Sequence, residues 1–121
     1  MLSTVNRLYG LDEGYKLVRN WKHGCVVWLY ESLGNVLWMR DMMKCLNDEY
    51  CYRYGASVHA AYLVIKRLSL PPIDNRRVTY PYLAMPEKYV QRDFVEAYRS
   101  YYRGDKAYFA KWSKRSIPYW W

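Results

Sequence analysis

The feature that most constrains the fold is the stretch Leu33 to Gly55, LGNVLWMRDMMKCLNDEYCYRYG, which carries the longest uninterrupted helical pattern in the chain. Its apolar residues recur close to the i, i+3, i+4, i+7 spacing of one helix face. They are Leu33, Val36, Leu37, Met39, Met42, Met43, Leu46 and Tyr50. Ser32 can cap the first turn, and Gly55 stands where a left-handed residue usually ends a helix. The pattern predicts one long central helix.

Shorter helical patterns flank this stretch on both sides. They predict helices over Leu2–Tyr9, Cys25–Glu31, Val58–Leu68, Phe94–Arg103 and Lys106 to about Lys114. Ser57, Asp93 and Asp105 stand where they can cap the last three of these. Alternation of period two, typical of strands, is absent. We therefore expect an all-α fold, a compact single-domain bundle of about five helices that spans residues 1–121.

Two stretches outside these helices carry their own expectations. Residues 73–81, IDNRRVTYP, follow a Pro-Pro pair and are expected to form a polar loop. The last residues, SIPYWW, are expected to be extended and to pack against the rest of the protein, because exposing two Trp side chains to water is costly.

The net charge of +8 is unevenly distributed. Residues 1–55 hold seven Lys and Arg against six Asp and Glu, whereas residues 56–121 hold twelve against five. A basic half indicates an anionic partner such as nucleic acid, a phosphorylated small molecule or a membrane surface, although a soluble protein can also be basic without one. The chain is rich in Tyr and Trp, with fifteen and six, and their flat apolar faces suit stacking on a base.

Several classes of protein are disfavoured by what the sequence lacks. No apolar run is long enough for a transmembrane helix, and the first residues do not resemble a signal peptide. Cys25, Cys45 and Cys51 fit neither a zinc site nor a disulfide framework, and are expected to be reduced thiols in an intracellular protein. There is no HExxH, no GxSxG and no Gly-rich phosphate loop. We therefore expect no metal, no cofactor and a function in binding rather than catalysis.

The densest mixture of cations and aromatics is AYRSYYRGDKAYFAKWSKR, near the C-terminus. Arg and Lys side chains could capture phosphates there while Tyr and Trp stack on bases. Alternatively, this stretch is an amphipathic helix whose Tyr face is buried in the core and whose cationic face is exposed to solvent. Arg99 and Arg103 would be i, i+4 neighbours on a helix and would repel one another unless an anion or a carboxylate intervened. Glu96 could serve Arg99 in this way.

His23 and His59 are the only histidines in the sequence. They could act as a general acid and base or as ligand-binding groups. A histidine near a helix terminus is more often a cap or a hydrogen-bonding residue, and that is the favoured interpretation of both.

Four segments, taken in order, resemble a family of small phage proteins: HGCVVWLYESLGNVLW, NDEYCYRYGASVH, YLAMP and VEAYRSYYRGDKAYFAKWSKRSIPYWW. The resemblance covers most of residues 23–121. The matching positions are His23, Cys25, Trp28, Ser32, Asn35, Trp38, Glu49, Tyr50, Arg53, Tyr54, Gly55, His59, Met85, Pro86, Tyr98, Arg99, Tyr102, Lys106, Trp112, Arg115, Pro118 and Trp120.

Some relatives in that family look distantly similar to phage pyrimidine-dimer DNA glycosylases, which are compact all-α enzymes with an N-terminal amine nucleophile. The present chain departs from the family in having Gly24 where a Pro is usual. It also begins, at Met1, where the relatives already have an earlier helix that would hold the early catalytic groups. The resemblance therefore carries over the residues of a binding surface, and the early catalytic groups of the glycosylases are not among the matched positions.

By analogy and composition, we expect a non-enzymatic phage-type protein that captures an anionic nucleotide in a basic, Tyr- and Trp-rich pocket. Its role would be to sequester a nucleotide immune signal in the cytoplasm of the infected bacterial host, as a homo-oligomer without membrane contact. One alternative is a DNA-binding or DNA-repair protein with a glycosylase-like helical fold. A second is an interaction protein whose basic face meets an acidic protein partner.

The residues expected to bind the ligand fall into three roles. The phosphates are expected to be bound by Arg53, Arg99, Lys106 and Arg115. A base is expected to stack on Tyr54, Tyr102 and Trp112. Asn35 and His59 would hydrogen-bond the sugar or the base edges, and Trp38 completes the set.

Overall fold

The computed structural model describes residues 1–55 and 57–121 and confirms the all-α class. Over these residues there are five α-helices, two short 3₁₀ helices and no strand. The helices are α1 (Leu2–Leu8), α2 (Gly24–Glu31), α3 (Leu33–Tyr54), α4 (Ala60–Arg67) and α5 (Phe94–Arg103), with 3₁₀ helices at Glu87–Tyr89 and Ala107–Phe109. None of the helices in this part of the chain is both long and apolar enough to cross a membrane.

The chain divides into two units, unit 1 from Met1 to Tyr82 and unit 2 from Leu83 to Trp121. Unit 1 contains α1 to α4, and unit 2 contains α5 and both 3₁₀ helices. The expectation of a single domain over residues 1–121 stays a prediction.

Both ends of the central helix α3 are where the sequence predicts them. Ser32 Oγ accepts a hydrogen bond from the backbone N–H of Gly34 at 3.0 Å. Gly55 has φ 65°, the left-handed conformation that glycine adopts without steric cost. The apolar face is buried only over the first half of the helix, where Val36 and Met39 lie in the core, while Leu46 is 55% exposed.

The hydrophobic core of unit 1 lies where α1 and α2 meet the first half of α3. Its members come from these helices and from the segment after α4, and they are Leu2, Val5, Val26, Trp28, Leu29, Leu33, Val36, Met39, Leu68 and Ile73. The second half of α3 extends beyond this core and packs against α4. One end of α3 is therefore embedded in the core, and the other end carries a more exposed surface.

Residues 71–82 form an extended segment that is bonded to the junction between α2 and α3. The carbonyl of Asn75 accepts from the backbone N–H of Leu33 at 2.8 Å, and Ser32 Oγ lies 2.5 Å from the carbonyl oxygen of Arg77. At Gly34 a Cβ atom would overlap the carbonyl oxygen of Arg76. Only glycine allows the backbone of the segment to approach α3 this closely. The predicted polar loop over residues 73–81 is thus an anchored segment.

Helix α4 begins two residues later than the sequence predicts, and its cap is His59 rather than Ser57. The Nδ1 atom of His59 accepts from the backbone N–H of Ala61 at 3.1 Å. The side chain of Asn47 on α3 accepts from the backbone N–H of His59 at 2.9 Å. This tertiary bond helps to hold His59 in an extended conformation, so the helix starts after it.

In unit 2, α5 has the predicted boundaries. Asp93 Oδ1 accepts from the backbone N–H groups of Val95 and Glu96, and the helix ends at Gly104. The predicted last helix from Lys106 to Lys114 is wrong, because only the 3₁₀ turn Ala107–Phe109 forms. The expected cap, Asp105, instead accepts hydrogen bonds from Lys88 and from the Tyr89 hydroxyl.

Candidate functional site

The predicted ligand residues are divided between the two units. Unit 1 holds Asn35, Trp38, Arg53, Tyr54 and His59, and unit 2 holds Arg99, Tyr102, Lys106, Trp112 and Arg115. Within unit 1 the set is divided again, since Asn35 and Arg53 are separated by 18 positions of one helix. At about 1.5 Å per residue they are roughly 27 Å apart along the helix axis.

Asn35 and Trp38 lie at the embedded end of α3. Asn35 is fully buried, and its side-chain amide nitrogen donates to the carbonyl of Trp28 at 2.7 Å and to Thr79 Oγ1 at 2.8 Å. Its side-chain oxygen accepts from the backbone N–H of Thr79 at 2.8 Å. Trp38 packs edge-to-face on Trp28 with ring centroids 5.7 Å apart. In this structure Asn35 fastens residues 71–82 to α2 and α3.

The other end of α3 borders a cleft of about 240 Å³ between α3 and α4. Its walls are apolar and aromatic, and they are formed by Met43, Leu46, Asn47, Tyr50, His59 and Tyr62. The predicted residue His59 is part of this wall. Arg53 and Tyr54 follow Tyr50 by three and four positions on α3, so they lie on the same side of the helix as Tyr50. The Tyr54 ring contacts that of Tyr50, with centroids 5.1 Å apart.

The imidazole of His59 is held in place by its neighbours. Its ring meets Tyr50 edge-to-face at 4.9 Å, and its Nδ1 atom accepts the Ala61 amide proton. In the neutral ring the proton is therefore on Nε2, which makes Nε2 a hydrogen-bond donor. His23 caps α2 in the same way, because its Nδ1 accepts from the backbone N–H of Cys25 at 3.2 Å. The predicted capping role is confirmed for both histidines.

Two cations belong to the elements that form the cleft. Arg53 Nε donates to Glu49 at 2.6 Å, an i, i+4 ion pair on α3. Lys44 and Asp48 form a second i, i+4 ion pair on the same helix. On α4, Lys66 Nζ lies 5.9 Å from the ring centre of Tyr62.

Sequence reasoning missed most of the cleft wall. The sequence places Met43 and Tyr50 only on the apolar face of α3, and it assigns no ligand-binding role to Tyr62. A signal for Tyr62 exists, since it follows His59 by three positions and helical neighbours at that spacing share a face. The approach of α4 to α3 is a tertiary fact that this signal does not contain.

A second cleft in unit 1, of about 250 Å³, is lined by Leu8, Trp21, Val26, Val27 and Tyr30. Its lining carries no charged residue. None of the predicted ligand residues is among those that line it.

In unit 2, Glu96 lies between the two arginines of α5. Its Oε1 is 2.5 Å from Arg99 and its Oε2 is 3.8 Å from Arg103. The expectation that this carboxylate serves Arg99 is confirmed. The hydrogen bond to Glu96 also raises the pKa of the Arg99 guanidinium. An incoming phosphate would have to share these arginines with Glu96.

The C-terminal residues pack against the same face of α5. Arg103 donates to the carbonyl of Trp120, and the Arg99 guanidinium lies 5.4 Å from the Trp120 ring and 5.8 Å from the Tyr119 ring. Trp121 closes a turn by donating its backbone N–H to the carbonyl of Pro118. The expectation that the tail packs down is confirmed within unit 2, and the tail ends in this turn.

Lys106 and Tyr102 form an aromatic and cationic cluster with their neighbours. Lys106 Nζ lies 5.3 Å from the Tyr101 ring centre and 5.9 Å from that of Phe109. The hydrogen bond with Tyr101 raises the pKa of the Lys106 ammonium group. Tyr102 meets Phe109 edge-to-face at 6.3 Å.

Trp112 and Arg115 are linked by a turn in which the backbone N–H of Arg115 donates to the carbonyl of Trp112. The Trp112 ring packs edge-to-face on Trp121 at 4.9 Å. Trp112 is partly buried and Arg115 is exposed. Trp112 is therefore a packing residue of the tail.

The part of the chain that the structure describes contains no group of three or more His, Cys, Asp or Glu residues placed to hold a metal ion. Comparison of the chain with protein-family models, with curated proteins and with solved structures gave no match. The features of the protein that bear on function are therefore the cleft of unit 1 and the basic, aromatic residues of unit 2.

Proposed function

We propose that the protein binds a small anionic nucleotide without chemically changing it, with the base in the cleft between α3 and α4. The observation that carries this proposal is a cleft of about 240 Å³ with three aromatic walls, Tyr50, His59 and Tyr62. Drug-sized ligands occupy pockets of about 300–1,000 Å³. A cleft just below that range, lined by flat rings, suits one planar ring system.

The side chains in the cleft can offer a bound base two kinds of contact, stacking and a hydrogen bond. Tyr50 and Tyr62 offer ring faces, and a base stacked on an aromatic side chain gains about 1–3 kcal/mol. The Nε2–H of His59 offers a donor, because Nδ1 is committed to capping α4. These groups would recognise the flat shape of a base and a hydrogen-bond acceptor on one of its edges.

The phosphates of such a ligand would be met by the cations at the rim. Arg53 follows Tyr50 by one helical turn, and Lys66 lies against Tyr62 on the other helix. A charge-assisted hydrogen bond contributes about 1.5–3 kcal/mol. Arg53 would serve a phosphate while keeping its bond to Glu49.

The biological role that fits this binding is sequestration of a nucleotide immune signal in an infected bacterium. It is supported by the resemblance to small phage proteins and by the basic, aromatic composition. Capture requires affinity and no turnover, so the absence of a recognisable catalytic motif in the sequence is compatible with it. Assembly as a homo-oligomer in the host cytoplasm belongs to the same proposal.

The proposal is tested by titration calorimetry and thermal shift with a panel of ligands. The panel contains ADP-ribose and its cyclic forms, cyclic dinucleotides, NAD and short duplex DNA, each at two salt concentrations. We expect a small nucleotide to bind with weak salt dependence. Tyr50→Leu, which removes one wall, should weaken its binding at least tenfold, or about 1.4 kcal/mol.

Tyr52→Leu is the matched control, because Tyr52 lies on the same helix and is not part of the cleft wall. It should change the affinity less than twofold. Equal losses in the two variants, or no binding by any small nucleotide, would contradict the proposal.

The DNA-binding or DNA-repair hypothesis predicts a different result in the same panel. Duplex DNA would be the preferred ligand, and its affinity would fall steeply with salt because phosphate contacts release counterions. Tyr50→Leu would then leave binding unchanged.

A further inference from the structure

We propose that unit 2 carries a separate binding surface for single-stranded nucleic acid. The surface is a row of five side chains, four aromatic and one arginine. Their order is Tyr119, Arg99, Tyr102, Phe109 and Tyr108. It lies wholly within unit 2 and does not depend on the cleft of unit 1.

The members of the row are neighbours, joined either by a contact or by their spacing on α5. The Arg99 guanidinium carbon lies 5.8 Å from the Tyr119 ring centre. Tyr102 follows Arg99 by three residues on α5, so the two side chains are neighbours on the helix surface. The Tyr102 and Phe109 centroids are 6.3 Å apart, and those of Phe109 and Tyr108 are 5.0 Å apart.

The rings of this row are open to solvent. Tyr119 is 93% exposed and Tyr108 is 83% exposed, the two largest values among the exposed large hydrophobic residues of the chain. Phe109 and Tyr102 follow at 46% and 42%. Single exposed aromatics need no explanation, but a contiguous set of them marks an interaction surface. Its two most exposed members stand at the two ends of the row.

The charge of unit 2 favours an anionic partner. It holds eight Lys and Arg against four Asp and Glu, a net charge of +4. Asp93 is committed to capping α5, and Glu96 lies between the two arginines of that helix. Asp105 is bonded to Lys88 and Tyr89, whose hydrogen bonds lower the pKa of its carboxyl. These carboxylates are engaged within unit 2.

Cations accompany the aromatic row. Lys106 Nζ lies 5.9 Å from the ring centre of Phe109, the fourth member of the row. Exposed cations also occur in the segment that links the 3₁₀ helix to the tail, and they are Lys111, Lys114 and Arg115. Alternating cations and ring faces bind a strand whose phosphates and bases are both accessible.

This pattern selects single strands over the other anionic partners. In a duplex the bases are stacked on one another and cannot reach exposed rings, so only the cations would contribute. An acidic protein would likewise use the cations and would leave the rings unpaired. Stacking on Tyr and Phe is tolerant of base identity, so we expect little sequence preference.

The test is fluorescence anisotropy of the full chain with a labelled oligothymidylate of about 12 nucleotides. We compare the unaltered protein with Tyr108→Ala and Tyr119→Ala, singly and together. Each substitution should weaken binding about tenfold and the pair more than about thirtyfold, since stacking is lost at each end of the row. Both side chains are almost fully exposed, so the variants should keep the helical circular dichroism of the parent.

Tyr15→Ala is the matched control, an exposed tyrosine of unit 1, and should leave the affinity for the oligonucleotide within twofold. The row lies in unit 2 and the cleft lies in unit 1, so this experiment and the nucleotide titrations fail independently. The proposal is overturned if the double variant binds like the parent, or if a duplex of equal length binds as tightly as the single strand. Absence of binding at about 50 mM salt would overturn it as well.

Discussion

Asn35 shows, at the scale of a single residue, how a polar side chain can hold several elements together. Its amide reaches the end of α2 through Trp28 and the extended segment through Thr79. The bond to Trp28 is buried and the two bonds to Thr79 are partly buried, so breaking them leaves donors or acceptors with little access to water. The sequence marks Asn35 as a polar residue within an apolar stretch, and only its neighbours in space give it a bracing role.

We predict that Asn35→Ala is strongly destabilising. The substitution leaves the Trp28 carbonyl and the Thr79 amide without this partner, at about 1–3 kcal/mol for each unsatisfied buried group. The expected loss is about 2–4 kcal/mol in the free energy of unfolding, measured by urea denaturation. Asn20→Ala, at an exposed position, should change it by less than about 0.5 kcal/mol. A near-neutral Asn35→Ala would mean that the amide is not a brace and would return it to the candidate ligand residues.

At the scale of elements, the ends of the helices are set either by bonds to nearby residues in the sequence or by bonds to distant ones. Ser32, Gly55 and Asp93 end or begin helices through bonds to residues within three or four positions, and sequence alone predicted them. The start of α4 depends on Asn47, twelve positions away on another helix. Asp105 fails as a cap because Lys88 and Tyr89 reach it from the preceding 3₁₀ helix.

The histidine cap of α4 leads to a prediction about stability. His59 Nδ1 accepts the Ala61 amide proton, and an alanine at position 59 cannot replace this acceptor. We therefore expect the free energy of unfolding to fall by about 1 kcal/mol in His59→Ala.

The measurement compares His59→Ala and His59→Asn with the unaltered chain by urea denaturation. Asparagine also caps helices, so His59→Asn should keep most of the stability that His59→Ala loses. His23→Ala should lose a similar amount, because His23 caps α2 in the same manner. Equal stability of His59→Ala and the unaltered chain would show that the His59 cap does not contribute.

At the scale of the whole molecule, the apolar core is unevenly distributed along the chain. The buried hydrophobic residues of the described part of the chain belong to unit 1, apart from Ala97 on α5. Unit 2 instead relies on ring contacts, ion pairs and caps, such as those around Arg99 and Asp105. Partly exposed contacts of this kind contribute less to stability than buried apolar area does.

Hydrogen exchange followed by mass spectrometry should reveal this difference. Peptides from α2 and the first half of α3 should exchange only on global unfolding, since their amides surround the core. Peptides from α5 should exchange at least tenfold faster, through local opening. Equal protection of α5 and α2 would show that unit 2 is stabilised as strongly as the core of unit 1.

The sequence by itself determined the all-α class, the extent of α1, α2, α3 and α5, and the pairing of Glu96 with Arg99. These features depend on periodicity and on partners within one helical turn, which the order of residues contains directly. The basic, aromatic character of residues 83–121 is likewise a property of composition.

Only the tertiary structure decided which polar groups became internal. The contact of α4 with α3 formed the cleft and moved the start of α4, and the extended segment buried Asn35. The tail contacted the arginines of α5, and Asp105 bonded to Lys88 and Tyr89 and did not cap a helix. Each of these outcomes depends on which distant groups meet, because a hydrogen-bond donor or acceptor is committed by its nearest partner in space and the sequence does not fix that partner.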